Sequence, residues 1–264
     1  WRAGRERNNT NAIWRFFTWD AEWGMGIYAL AVTRDSFGFT GTGTEDAGLN
    51  STVNSEIARL YQALRVNREF RILWADRIHK HFFNGGALTG LNISNRFNEL
   101  RVQLEPAMGQ AIDTEIPLWA RDRFPIIMGQ FNTYGLYGYS NALYGVFASS
   151  NAPVFNQHGG RVGSGFALTM SNPLGGPIYY TLNGDDPRVP FSGAVSNSAV
   201  TYSGPVTLNQ TVVVKARSLH DGTNWSAMAE AEFKVESLVP SPAVNVRPVV
   251  PLNVNAPLVT ERVT

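Results

Sequence analysis

The sequence contains no cysteine, and this absence excludes disulfide bonds, thiolate metal ligands and a cysteine nucleophile. It also lacks an excess of charge of one sign, because 22 basic residues stand against 21 acidic ones and the net charge is +1. Such a balance provides no overall field to attract nucleic acid or an anionic membrane surface. No run of about 18 apolar residues occurs, so we expect no transmembrane segment.

What the chain does have is enough apolar material to form a core. Hydrophobic residues make up 44% of its 264 residues and charged residues 16%, which is typical of one large or two ordinary folded domains. The sequence opens on Trp1 without a signal-peptide pattern. We therefore expect an excised piece of a longer protein.

Helical periodicity dominates residues 53–112. The first pattern spaces its apolar residues by four, three and four, with Thr52 as a candidate N-cap: Val53, Ile57, Leu60 and Leu64. The second predicts one apolar face, ended by Asn84-Gly85-Gly86: Phe70, Leu73, Trp74, Ile78, His81 and Phe82. The third contains Pro106, which predicts a kink or a break, and its apolar stripe comprises Phe97, Leu100, Leu104, Met108, Ala111 and Ile112.

The apolar period is two in a short segment near the start of the chain and again after about residue 153. Residues 13–19 predict a strand. Six later segments, separated by Gly, Pro and Asn/Asp turns, predict a small antiparallel, immunoglobulin-like β-sandwich: 166–170, 178–182, 200–202, 205–208, 211–218 and 229–236. The fold class is therefore multidomain α+β. The expected domains are 1–150 and 151–236, followed by a Pro/Val-rich linker at 237–264.

Two carboxylates follow the first predicted strand, in the segment IWRFFTWDAEWGMG (13–26). Residues two apart on an extended chain point to one face, so Asp20 and Glu22 would lie about 7 Å apart on the same side. A strand end fixes such a group, and carboxylate oxygen is what Mg²⁺ prefers. Gly24 and Gly26 would let the backbone turn away sharply. The alternative is that both are ordinary solvated acids after a strand.

Together with NREFRILWADRIHKHFFNGGALT (67–89), this segment resembles the C-terminal half of the CotH kinase family of atypical protein kinases, over residues 10–150. The resemblance implies a mainly helical kinase C-lobe that, in a complete protein, uses Mg²⁺ and ATP to phosphorylate a Ser/Thr protein substrate. Asp20 would be the DFG-like metal ligand, and Glu22 a second metal ligand or orienting group. Residues 1–19 hold no aspartate and no lysine, so neither the catalytic base nor the nucleotide-binding lysine is supplied. We expect this piece alone to be inactive.

The second half resembles the chitobiase C-terminal or fibronectin-III-associated β-sandwich, chiefly in GRVGSGFALTM, IYYTLNGDDPR and TVVVKARSLHDGTNWSA. The final APLVTERVT faintly resembles the first strand of a lamin-tail domain. Large bacterial surface proteins commonly join such modules, so a secreted or cell-surface bacterial location is implied. The alternative function is a non-catalytic surface scaffold or adhesion protein whose sandwich binds polysaccharide.

Several other groups have competing interpretations. The turn at 183–187 either binds Ca²⁺ through its carboxylates or is simply a turn. Tyr179, Tyr180 or Trp225 would stack on sugar rings if exposed. The glycine-rich GGRVGSG (159–165) lies between predicted strands with no helix behind it, so it lacks the context of a phosphate loop.

The two histidines of the second helical pattern stand two residues apart. They therefore project about 200° apart and cannot share a metal. We expect His79 to be exposed and His81 to pack beside the apolar face. A glycosidase barrel would need alternating strands and helices, whereas three helical patterns follow one another here.

Overall fold

The computed structural model describes residues 2–13, 15–17, 32, 56–112, 115–133, 152–172 and 175–236. Four helices occupy the middle of the chain: α1 (Glu56–Leu64), α2 (Arg68–Phe82), α3 (Gly90–Met108) and α4 (Glu115–Thr133). Before them, β1 (Arg2–Gly4) and β2 (Arg15–Phe17) pair antiparallel. The predicted strand at 13–19 is therefore confirmed over its described central residues. No helix of the described ranges is long and apolar enough to cross a membrane.

Local sequence signals set the helix ends. The Asn67 side chain accepts hydrogen bonds from the N–H groups of Glu69 and Phe70 and so caps α2. Asn84 and Gly85 both have positive φ just after α2, which confirms the predicted stop. Helix α3 continues past Pro106 and ends at the left-handed Gly109. Helix α4 was not predicted, because its sequence carries Pro125 inside the helix and this obscures the helical signal.

The face that α2 buries differs from the predicted one. Its buried residues are Ile72, Ala75, Ile78 and His79, whereas Leu73 is 51% exposed. The prediction that His79 is exposed is therefore wrong. The prediction placed the most apolar residues inward, whereas the buried face of α2 combines two isoleucines with Ala75 and His79.

Each of the six predicted β segments overlaps an observed strand, and four further short strands occur. The strands are β3 (Val154–Phe155), β4 (Gly160–Gly163), β5 (Phe166–Leu168), β6 (Met170–Ser171), β7 (Ile178–Thr181), β8 (Val200–Thr201), β9 (Val206–Leu208), β10 (Val212–His220), β11 (Asn224–Trp225) and β12 (Ala229–Glu236). The four further strands are β3, β4, β6 and β11. The largest sheet has the order β4-β12-β10-β7-β8, with β11 also on β10. Two smaller pairs, β3-β6 and β5-β9, complete the sandwich.

One strand pair departs from the predicted antiparallel pattern. Strand β4 runs parallel to β12, with Val162 opposite Val235. A parallel pair needs a long connection, and here almost the whole sandwich lies between the two strands. Within the glycine-rich GGRVGSG (159–165), residues 160–163 form β4, which is the edge strand of the main sheet.

The apolar core extends across both kinds of structure. Leu168, Val214 and Phe233 of the sandwich are completely buried. Ala75 and Ile78 of α2, and Phe131 of α4, belong to the same buried cluster. Helix α2 therefore packs on the sandwich through shared apolar contacts, which positions the charged groups described next.

Candidate functional site

One face of α2 carries the charged groups that meet the sandwich. Glu69, Asp76 and Lys80 lie on this face because their spacings of seven and four residues each bring the helix back to nearly the same direction. The rise of 1.5 Å per residue spreads them over about 17 Å. They meet Arg188, Arg217 and Glu230 of the sandwich respectively. We call this set the α2 docking site.

Arg217 forms the centre of the α2 docking site. Its side chain is only 1% exposed, yet all five of its N–H donors have acceptors. Nε donates to Asp186 Oδ1 at 2.8 Å, and the two terminal nitrogens donate to both Asp76 oxygens at 2.8 and 2.7 Å. The remaining two donors reach the Ser226 carbonyl at 2.9 Å and Asp186 Oδ2 at 2.8 Å.

Electrostatics keeps this buried arginine charged. Burial by itself would lower the pKa of Arg217, but the negative charge of Asp76 and the hydrogen bonds with Asp186 and Asp76 raise it above its ordinary value. Burial by itself would raise the pKa of Asp186. The hydrogen bonds and the positive charge of Arg217 have the larger effect and lower this pKa. Asp76 also accepts the backbone N–H of Met228 at 2.9 Å. One carboxylate of α2 therefore contacts both β10 and the residue that precedes β12.

A second arginine of the sandwich is neutralised by the N-terminal turn of α2. Arg188, 3% exposed, makes a two-point ion pair with Glu69. The hydrogen bonds from Arg188 lower the pKa of the Glu69 carboxyl. Arg68 donates to the carbonyl of Thr223 at the same end of the helix. Bidentate arginine–carboxylate geometry is directional as well as attractive, so these bonds fix the position of α2.

A cleft of about 550 Å³ opens beside the C-terminal half of α2. Its lining includes His79 and Lys80 from α2, His158 before β4, Lys215 of β10 and Glu230 of β12. Burial and the nearby His158 lower the pKa of His79 to about 4. The His79 ring stacks on Phe83 with ring centroids 5.1 Å apart, and its Nε2 lies 3.3 Å from Asn84 Nδ2. The imidazole is therefore neutral at pH 7 and serves packing.

The turn at 183–187 uses its polar groups internally. Asn183 Oδ1 accepts the Asp185 N–H at 3.0 Å, and the Asp185 carboxylate accepts from the Asn183 side-chain amide at 2.7 Å. Asp186 accepts from Arg217 and from the Arg188 N–H. These bonds favour the interpretation as a turn over a Ca²⁺ site. Among the described residues, no group of three or more potential protein ligands is arranged to hold a metal ion.

The aromatic residues proposed for sugar stacking have other roles. Trp225 is 2% exposed, and its Nε1 donates to the Gly193 carbonyl at 2.8 Å. Trp225 is therefore not available to stack on a sugar ring. Tyr179 packs on Trp225, and Tyr180 packs edge-on against Tyr202.

A different aromatic ring stands exposed. Phe191 is 85% exposed and has a φ of +64°, in a turn between β7 and β8. A positive φ is uncommon for a bulky residue. The dipeptide Phe191-Ser192 between Pro190 and Gly193 is the sequence signal that could have indicated an aromatic loop tip.

The two residues predicted from sequence as metal ligands, Asp20 and Glu22, lie outside the described residues. What the structure brings together instead is Glu69, Asp76, Asp186, Arg188 and Arg217. These five residues were not identified as a group from the sequence. The available signal was a pair of acids seven residues apart on a predicted helix.

The comparisons with known proteins bear on the sandwich alone. Residues 166–233 match the family model described as "Fn3 associated". This range runs from the start of β5 into β12 and includes Asp186, Arg188 and Arg217. A search of the curated proteins and a search of the solved structures found no match to the chain. The match supports the resemblance of the β-sandwich to the fibronectin-III-associated domain.

Proposed function

We propose that this chain is part of a CotH-like atypical protein kinase, secreted or displayed on a bacterial cell surface. In a longer protein it would transfer the γ-phosphate of ATP to a Ser/Thr hydroxyl of a protein substrate. Asp20 would hold Mg²⁺, with Glu22 as a second ligand or an orienting group. The catalytic aspartate and the nucleotide-binding lysine would come from other parts of that protein.

The proposal is supported by the resemblance of residues 13–26 and 67–89 to that family. One structural observation bears on which carboxylates could bind Mg²⁺. The second segment contains α2, and its acids Glu69 and Asp76 are both engaged by sandwich arginines. Carboxylates held this way are poor metal ligands because Mg²⁺ would have to displace a bidentate guanidinium. We therefore assign the metal to Asp20 and Glu22, on the resemblance, and not to the two acids of α2.

The test compares the full-length protein with its Asp20→Ala variant in labelled ATP and Mg²⁺. Loss of phosphate transfer in Asp20→Ala, with retention in a Glu6→Ala control, is the expected result, because only Asp20 is assigned to the metal. Equal labelling of the wild type and Asp20→Ala would remove Asp20 from the mechanism. No labelling by the wild type would favour the non-catalytic alternative.

A second candidate function is a surface scaffold whose sandwich binds polysaccharide. The observation in its favour is the exposed ring of Phe191, since aromatic faces are used to stack on sugar rings. Retention of the whole chain on insoluble polysaccharides should then fall in Phe191→Ala and persist in Val200→Ala, whose side chain is also exposed. If the wild type is retained on none of them, this function is excluded for the polysaccharides used.

A further inference from the structure

The sheet surface under α2 has the composition of a docking surface. Lys215 and Arg217 alternate along β10 with the buried core residues Val214 and Ala216. Lys215 pairs across the sheet with Glu230 of β12. By strand alternation these charged residues belong to the outward face of the sheet. Arg217 is nevertheless 1% exposed, because α2 covers it.

The charges on the two partners are complementary at three separated points. The sandwich presents Arg188 and Arg217, and α2 presents Glu69 and Asp76 in matching positions. Further along α2 the polarity reverses, with Lys80 3.4 Å from Glu230. A helix placed in the opposite direction would set Lys80 near Arg188, so the pattern selects one orientation as well as one partner.

Apolar contacts add to the charged ones. Ala75 and Ile78 of α2 are 0% and 5% exposed and belong to the same buried cluster as Val162 and Ala231 of the sandwich. A buried apolar centre with oriented charged pairs is the usual anatomy of a specific protein interface.

We propose that the sandwich face bearing Arg188 and Arg217 is a receptor for one helix, the α2 segment of the same chain, and that it holds this helix without help from the covalent connection. The fibronectin-III-associated module is thus an internal binding domain whose ligand is a helix with two carboxylates seven residues apart. The interaction does not depend on any kinase activity.

The experiment cleaves the folded full-length chain with a protease. A site-specific protease sequence is inserted after Ser150, the purified protein is cleaved, and the two parts are followed by size-exclusion chromatography and by binding titration. The wild-type parts are expected to elute together at micromolar concentration. Asp76→Ala should weaken their association by at least about 30-fold, because truncating one partner of a buried hydrogen-bonded pair costs about 2 kcal/mol or more.

Two further variants keep the proposal open to contradiction. Glu69→Gln, which leaves Asp76 in place, should weaken the association less than Asp76→Ala but measurably. Glu99→Ala, on the exposed surface of α3, should leave it within about threefold of the wild type. Separation of the wild-type parts on cleavage would overturn the proposal. So would dissociation at the same concentration for wild type, Asp76→Ala and Glu69→Gln.

Discussion

The sandwich and the α3–α4 helix pair bury their apolar side chains to different extents. The sandwich closes around side chains such as Leu168, Val214 and Phe233, which are fully buried. Helix α3 has no buried residue. Its large apolar side chains include Leu91 and Val102, which are 71% and 66% exposed. A sheet pair can enclose a core by itself, whereas a helix pair hides only the stripe where the two helices touch.

The difference in burial indicates which part of the chain contributes most to its stability. Helix α2 contacts the sandwich through both apolar and charged groups, while α3 lies further along the chain and packs on α4. We expect the sandwich and α2 to unfold as one unit and α3 to contribute little to it.

Truncating a core residue should separate the two regions most clearly. Phe233→Ala, in β12, is expected to lower the free energy of unfolding by about 3–5 kcal/mol, because it leaves a cavity at a fully buried ring. Leu91→Ala, on the exposed side of α3, should change it by less than about 0.5 kcal/mol. Urea denaturation followed by tryptophan fluorescence measures both. Similar losses for the two variants would contradict the contrast.

Acid should weaken the packing of α2 on the sandwich. The pKa of His79 is about 4 in the folded protein against an ordinary value of 6.5, so below pH 6.5 the unfolded chain takes up a proton that the folded chain does not. Stability is therefore lost as pH falls from about 6.5 toward 4, by on the order of 3 kcal/mol. Glu69 and Asp186, whose pKa values are lowered, lose their contribution in the same direction at lower pH.

The measurement is the urea midpoint at several pH values between 7 and 4. His79→Gln should reduce the dependence above pH 4.5, and what is left of it is expected from His158, whose pKa burial also lowers. His81→Gln, two residues further on, leaves His79 in place and should keep the wild-type dependence. A wild-type-like slope in His79→Gln would show that another group is responsible.

A glycine pair tests how closely the parallel edge strand approaches the sheet. A Cβ on Gly159 would lie 2.7 Å from the Glu232 carbonyl oxygen, whereas one on Gly165 would meet nothing within 4 Å. Both glycines have positive φ, +78° and +86°, so alanine carries the same conformational cost at each. Gly159→Ala should therefore destabilise by about 2 kcal/mol more than Gly165→Ala. Equal thermal midpoints would contradict the close approach.

Much of the sandwich could be predicted from the sequence, because alternation and turn residues are local signals. The segment 211–218 overlaps β10 and the segment 229–236 coincides with β12, and Asn84-Gly85 ends α2 as expected. The pairing of β4 with β12 could not be predicted. It joins residues some 70 positions apart in the chain, and nothing in the local pattern of GRVG specifies a parallel neighbour.

Among the candidate sites, some were predicted from the sequence and one was found only in the structure. The predicted metal ligands Asp20 and Glu22 and the proposed domain division at about residue 150 stay predictions. The α2 docking site escaped sequence reasoning because its acids, Glu69 and Asp76, have the appearance of an ordinary solvated helix surface. The misassignment of His79 has the same cause, since polar residues were placed toward solvent.

From the sequence alone follow the longer strands of the sandwich, the end of α2 at Asn84-Gly85 and the absence of any thiol chemistry. These follow from residue types and from spacings of a few positions. Only the tertiary structure decided that Arg217 would be buried, because its burial requires a helix from more than a hundred residues earlier to bring Asp76 against it. Local periodicity shows which face of a strand points outward. What covers that face depends on long-range complementarity of shape and charge.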